Sequence, residues 1–488
     1  MGKRIISTHF IVIIFVLAVV LLDCSPDSSA NNDGNGGDNG NTPHETWSAL
    51  YDASGGEEEM EGLFVAADGG FVIVGNTDGY GDGEGTAWIL KLSTSGQVVW
   101  AKAYDGPGNE SILDIKQTSD GGYIGAGWTT SFGAGGADFW LIKLDGSGAI
   151  QWQKTYGGAG IEQAWSVGLT KDGGYVIAGG STSFGAGKAD YWVLKLDSSG
   201  NIVWQRAFGG AMDDGGGGTY GEYVVRVVAN DNGTFAVAST SYSFGHGAAD
   251  IWIIKLDSNG NIIWQKAYGG SEDDSTWSFR KSVGGGYIIP GVTESVGLDD
   301  SGDLWTLKLD EGGNILWQKV YGLKNYWDEA LSVSATSDGG ALIGGYYEER
   351  NRDWDWTLIR LDSDGNALWQ RVYEHSWDWP NAVQQLSSGG FVAIGVAWPN
   401  DTGGPEDLWA MKLTANGIVG PSCNIDSPID LTIKTTNTSP KTTNCEVTIT
   451  NITPKTSSAA VQDTSTTPNY LCQGKDHKMG NKDILVTQ

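Results

Sequence analysis

Cysteine is scarce in this chain. Only Cys24, Cys423, Cys445 and Cys472 occur among 488 residues, and none lies between residues 47 and 420. There is no C-x-x-C and no C-x-x-C-H, which argues against a cysteine zinc site and a c-type haem. Histidine is equally sparse. Of the five, His9, His44 and His477 lie near the ends, leaving His246 and His375 in the central body. A histidine-rich metal centre or a Ser-His-Asp triad therefore has few candidates. Basic charge is short as well, with 30 Lys and Arg against 59 Asp and Glu and a net charge of −29. That balance argues against nucleic acid, whose phosphates need clustered cations. It suits an extracellular surface or one that meets cations. Helical patterning is also missing. Beyond residue 30 no stretch repeats apolar residues at i, i+3, i+4 and i+7.

Tryptophan and glycine, by contrast, are abundant, at 22 and 74 residues. Trp88, Trp140, Trp192, Trp252, Trp305, Trp356 and Trp409 recur at spacings of 52, 52, 60, 53, 51 and 53. A period near this length is the mark of a propeller or an array. The third unit shows four strand-like runs: 165–170, 175–179, 190–196 and 201–206. They are separated by Asp172-Gly173-Gly174, by Ser183-Phe184-Gly185-Ala186-Gly187 and by Asp197-Ser198-Ser199-Gly200. Four antiparallel strands per unit and seven units predict an all-β, seven-bladed propeller. Fourth-strand tryptophans number only six: Trp100, Trp152, Trp204, Trp264, Trp317 and Trp369. No Trp follows Trp409 at that position. Trp47-Ser48-Ala49-Leu50-Tyr51 supplies the same Trp–Tyr separation upstream, so it is expected to form the outer strand of the last blade and close the ring.

Three phrases carry a resemblance. They are Asp120-Gly121-Gly122-Tyr123, Ser131-Phe132-Gly133-Ala134-Gly135 and the run Leu256-Asp257-Ser258-Asn259-Gly260-Asn261-Ile262-Ile263-Trp264-Gln265-Lys266. Together they resemble a widespread group of exported bacterial and archaeal Trp-rich β-propeller repeat proteins, over residues 47 to 417. That group implies the fold and carries no general activity. More distantly, Asp…Gly…Trp at the turn into the outer strand is similar to the tryptophan-docking motif of quinoprotein propellers, although the Thr those turns carry before Gly is missing here.

The ends read differently. Lys3 and Arg4 precede the apolar run Ile11 to Leu22, so residues 1–24 read as an export signal. Leu21-Leu22-Asp23-Cys24 resembles a bacterial lipoprotein signal with Cys24 as the acylated residue, although Asp23 departs from it. Ser28-Ser29-Ala30 offers an ordinary cleavage site instead. Residues 25–46 are polar and Gly-rich and read as a tether. The body spans 47–420. Residues 421–488, rich in Thr and Ser and holding three cysteines of undecided pairing, read as a small β or stalk appendage. The expectation is an outer-membrane lipoprotein or an extracellular protein, touching a membrane only through a lipid anchor.

A residue present in every blade is structural, so function is expected where the repeat breaks. Eight tryptophans refuse the period: Trp128, Trp165, Trp277, Trp327, Trp354, Trp377, Trp379 and Trp398. Five lie in the last two blades, near Tyr346, Tyr347, Glu348, Glu349, Arg350 and Arg352. The loops there replace Ser-Phe-Gly-Ala-Gly, and they fall on the face carrying the second-to-third-strand loops. Trp327, Tyr347, Glu348, Arg350, Trp354, Trp377, Trp379 and Trp398 are the expected ligand-binding set. Aromatic rings with carboxylates and Arg suit sugar rings, so a glycan or a protein partner is expected. The alternatives are a glycoside hydrolase using Glu348, Glu349, Asp353 or Asp355, and a purely structural surface protein. Lys116, Arg226 and Arg280, on innermost strands, could ring an anion or be paired. No organic cofactor and no catalytic residue are expected. Calcium is possible at Asp299-Asp300-Ser301-Gly302-Asp303 or Glu272-Asp273-Asp274, without EF-hand spacing. The protein is expected to be a monomer.

Overall fold

The computed structural model describes residues 46–419, except 54, 81–84, 216–223, 299–300, 324, 349–353, 374–377 and 399–404, together with short strands between 426 and 470. The described residues contain no helix and form seven four-stranded antiparallel blades. Blade one runs from the inner strand Glu58–Val65 through Phe71–Thr77 and Thr86–Leu92 to the outer strand Val98–Asp105. Blade seven holds Asp378–Gln385, Phe391–Ala397 and Asp407–Leu413. Its outer strand is Trp47–Tyr51, paired so that Leu50 lies opposite Trp409.

Outer-strand tryptophans sit over the tight turn of the following blade. A Cβ on Gly200 would fall 3.0 Å from Trp152, and one on Gly96 would fall 2.9 Å from Trp47. Both glycines have positive φ, 74° and 80°, so side chains are disfavoured there for two reasons. Four residues further along, the Tyr156 and Tyr51 hydroxyls donate to the carbonyls of those same glycines at 2.7 Å. One Trp–Tyr pair thus locks each outer strand to its neighbour except in blade three, where Phe208 follows Trp204 and offers no hydroxyl.

The recurring apolar-Lys/Arg-Leu triplet has a physical cause. Lys91, Lys143, Lys195 and Arg360 are nearly buried, and each reaches the aspartate of its own Asp-Gly-Gly turn: Asp68, Asp120, Asp172 and Asp338. Asp120 and Asp172 are held down to about 2 by hydrogen bonds from Thr118 and Thr170 and from these lysines.

The third-strand tryptophans are buried between blades, with one departure from the period. Six of them pair with the fifth residue of the second strand, as Trp140 does with Gly127 and Trp192 with Gly179. In blade six Trp356 pairs with Tyr346, the sixth, and Thr357 takes the fifth position opposite Gly345. Adjacent strand residues point to opposite faces. Trp356 therefore projects where Phe139 and Tyr191 do elsewhere, toward the next blade. Its neighbour is Trp409, as Trp192 is that of Phe139. The spacings of 51 and 53 on either side of Trp356 are this one-residue shift.

The segment that composition marks off as a C-terminal appendage gives one short strand to every blade. Asp426–Pro428 pairs with the outer strand of blade six, Thr432–Thr435 with that of five, and Lys441–Thr442 with that of four. Glu446–Ile449, Lys455–Thr456 and Ala460–Asp463 continue on blades three, two and one. Asn469–Tyr470 ends on Trp47–Tyr51 of blade seven. The segment thus visits the blades in reverse order, antiparallel to each outer strand.

Candidate functional site

Outside blade four, whose inner strand opens with Arg226, each inner strand opens with an acid, as Glu110, Glu162 and Asp274 show, and continues with a variable residue. That second position holds Glu59, Ser111, Gln163, Ser275, Glu329 and Trp379 in blades one, two, three, five, six and seven. In most blades the leading acid is tied locally. Glu110 accepts from Thr129 at 2.7 Å and Glu162 from Ser181 at 2.9 Å. The following residue has no such fixed duty.

In blade six that residue organises an aromatic cluster. Glu329 is nearly buried at 7% exposure. Its Oε1 accepts from the Trp277 indole, and its Oε2 accepts from the Tyr346 hydroxyl at 2.7 Å and from the Trp327 indole at 3.4 Å. Burial pushes the Glu329 carboxyl above its ordinary range, and the three donors only partly offset this. Trp354 stacks on Tyr346 at 5.2 Å with the planes 22° apart, and Trp379 meets Trp354 edge-on at 6.0 Å. Blades five, six and seven thus contribute one continuous set of half-exposed rings. Trp327 also lies across Gly302 of blade five, where a Cβ would come within 2.8 Å of the indole. A side chain at 302 would displace it.

A second indole–carboxylate pair stands nearby on blade seven. Trp398 lies beside the half-buried Glu406. That carboxyl is raised by burial, with Glu59 and Glu57 adding repulsion and Trp398 pulling the other way. Toward the axis, Trp277 joins Trp128, Trp165, Leu113 and Val224 in an apolar group contributed by blades two to five. Arg226 fixes part of this group from below, donating to the carbonyls of Trp277 at 3.1 Å and Trp165 at 2.8 Å.

The axial cations do not form a bare anion ring. Lys116 is paired with Asp114, whose other oxygen accepts from Ser166 and the Val167 amide. Burial works against the Asp114 charge, but Lys116 and Arg280 outweigh it and the carboxyl is held down. Arg226, pushed down to about 10 by burial and by Arg280, is drawn the other way by Asp114 and Glu61.

Of the expected ligand set, the structure brings Trp327, Trp354 and Trp379 together. Trp398 is half-buried beside Glu406. Tyr347 is buried and lies opposite Asp328 and Asp355 in the ladder, while its neighbour Tyr346 faces the cluster. Glu348 ends its strand, but its side chain lies outside the described residues, as do Arg350, Trp377, Glu349, Asp353 and Cys24. Asp355 is buried at 7% exposure, at the ladder position that Asp138 and Asp190 hold in their blades. Sequence reasoning missed Glu329, the residue on which the rings converge.

No family model matches the chain, and no curated protein does. Among solved structures, an ulvan lyase described as a new family of polysaccharide lyase is similar at 10% identity and a TM-score of 0.45, covering 76% of this chain and 97% of its own. Sqt1 from Chaetomium thermophilum is similar at 12% identity and a TM-score of 0.40, covering 78% and 90%. A fungal alcohol oxidase in complex with copper stands at 12% identity and 0.40, covering 75% of each chain. These figures concern architecture alone.

Proposed function

We propose that this propeller is an exported binding module that takes a glycan on the face where blades five to seven meet. The observation that carries the reading is the convergence of Trp277, Trp327 and Tyr346 on the buried Glu329 carboxylate, with Trp354 and Trp379 continuing the set. Half-exposed rings fixed from beneath lose little freedom when a ligand arrives. Sugar rings present C–H faces to such a surface and hydroxyls to its polar rim. A negatively charged protein favours neutral or basic saccharides over polyanionic ones. Acylation at Cys24, with residues 25–46 as tether, would hold the module at the outer membrane.

The purified protein should be screened on a glycan microarray and by affinity electrophoresis in neutral polysaccharides. Retention is expected, and Trp354→Ala or Trp379→Ala should weaken it about tenfold or more, one lost aromatic contact of roughly 1.4 kcal/mol. Absence of any retained glycan, or retention unchanged in both variants, would overturn the reading. In cells, Cys24→Ser should release the protein from the membrane fraction.

A further inference from the structure

The ring's first and last blades meet at a group of three carboxylates that the proposed glycan surface does not use. Asp52 follows the closing strand Trp47–Tyr51, Glu58 opens the inner strand of blade one, and Asp407 opens the third strand of blade seven. One oxygen from each lies within 4.8 Å of the other two. Glu58 is fully buried, Asp407 is 8% exposed, and Asp52 is exposed. The segments are held in place independently of any ion, since the Glu58 amide donates to the Glu406 carbonyl at 2.9 Å.

Two observations point to a ligand here. Glu58 Oε1 accepts from Thr77 and the Ala53 amide lies against the carboxyl, but Oε2 is buried with no hydrogen bond of normal geometry. An orphaned carboxylate oxygen in the interior is costly and calls for a counter-charge. The spacing is the second. Calcium binds oxygens at about 2.3–2.6 Å, so two ligands of one ion stand at most about 5 Å apart. Magnesium usually keeps several waters and takes only one or two carboxylates, and with neither His nor Cys in the group zinc is disfavoured. From this geometry we infer that Asp52, Glu58 and Asp407 form a calcium site that staples the closing strand to blades seven and one.

The other seams carry related pairs, such as Asp190 with Asp214 and Asp250 with Asp274. Only at the closing seam, among the described residues, do three such acids lie close enough to share an ion. It also adjoins the one blade whose outer strand, Trp47–Tyr51, comes from the other end of the chain.

The test uses protein stripped with EDTA and titrated with CaCl2 alone, read by isothermal titration calorimetry and by melting temperature. Binding is expected in the range of extracellular calcium modules, about 10−4 to 10−3 M, with the melting temperature rising over the same range. Asp52→Asn, at an exposed position, and Glu58→Gln should each weaken calcium binding about tenfold or more, while Asp190→Asn should leave it unchanged. Without calcium, Glu58→Gln should melt at or above the native protein, because it removes one acid from an uncompensated group. With saturating calcium the order should invert. No calcium-dependent rise, an equal rise in Asp52→Asn and Glu58→Gln, or a rise reproduced by NaCl at matched ionic strength would overturn the assignment.

Discussion

The Trp356 ring lies 4.5 Å from that of Trp409, tilted by 40°, in the place that Phe139 holds against Trp192 at 4.7 Å. Trp356 therefore acts as the Phe139 equivalent of blade six, and Thr357 occupies the site where other blades bury an indole. Trp356→Phe should be well tolerated, whereas Trp356→Ala should cost about 3–5 kcal/mol in urea unfolding. The Thr357 hydroxyl is buried without a partner. Thr357→Val, close in size and without that hydroxyl, should raise stability by about 1 kcal/mol in the same measurement.

The blade count was legible because the period is carried by large buried rings and by turns that only glycine fits, as at Gly96 and Gly200. The phase of blade six was not. Trp354-Asp355-Trp356 offers an indole on either side of the aspartate, and a one-residue slip changes the face while leaving the local pattern intact. Trp327, Trp354 and Trp379 were visible as departures from the repeat. Glu329 was hidden because Asp328-Glu329 repeats the double acid of Glu58-Glu59, so nothing marks it as different. Its role comes from Trp277, 52 residues away on the preceding blade, and from Tyr346 on the next strand. Contacts of that kind have no one-dimensional signature. The same holds for Asp52, Glu58 and Asp407, which only the ring brings together.

Glu329 holds the rings without being the surface a ligand would meet. Glu329→Ala would leave two indole N–H groups and a hydroxyl without their shared acceptor. Hydrogen bonds to a charged group are worth about 1.5–3 kcal/mol each, so a stability loss of about 2 kcal/mol or more is expected. Tryptophan emission should shift to the red as the rings loosen. Glycan affinity should fall with the fluorescence change, and Glu329→Gln, which keeps one acceptor oxygen, should recover part of both. An unchanged emission spectrum in Glu329→Ala would show that the rings are held by packing alone.

Asp190 predicts a pH dependence with a definite sign. Burial, with Asp214 and Asp213 adding repulsion, pushes its carboxyl up to about 7, against the pull of the Ala186 and Gly187 amides. In the unfolded chain the group titrates near 4. Between those values the folded state keeps a proton that the unfolded state has released, so this group lowers stability as pH rises from about 4 to 7 and adds no further change above. Asp190→Asn should flatten that part of the profile. Urea midpoints from pH 4.5 to 8 in EDTA are the check, and parallel profiles for the two proteins would refute it.

The C-terminal strands make the last prediction. Removing residues 421–488 uncovers the outer edge of all seven blades, each a row of unpaired backbone donors and acceptors. Such edges recruit other chains unless they are short, charged or covered. These carry a further liability, because Val99, Val203, Ile263, Leu316 and Leu368 already expose more than half of their surface on the outer strands. The truncated protein should keep its β circular dichroism, since the blades pair internally. It should form oligomers in light scattering at concentrations where the full chain does not, and Lys at positions 203, 263 and 316 should restore the monomer. A truncated protein that stayed monodisperse would mean that the twist and charge of the outer strands, rather than the added strands, keep the edges apart.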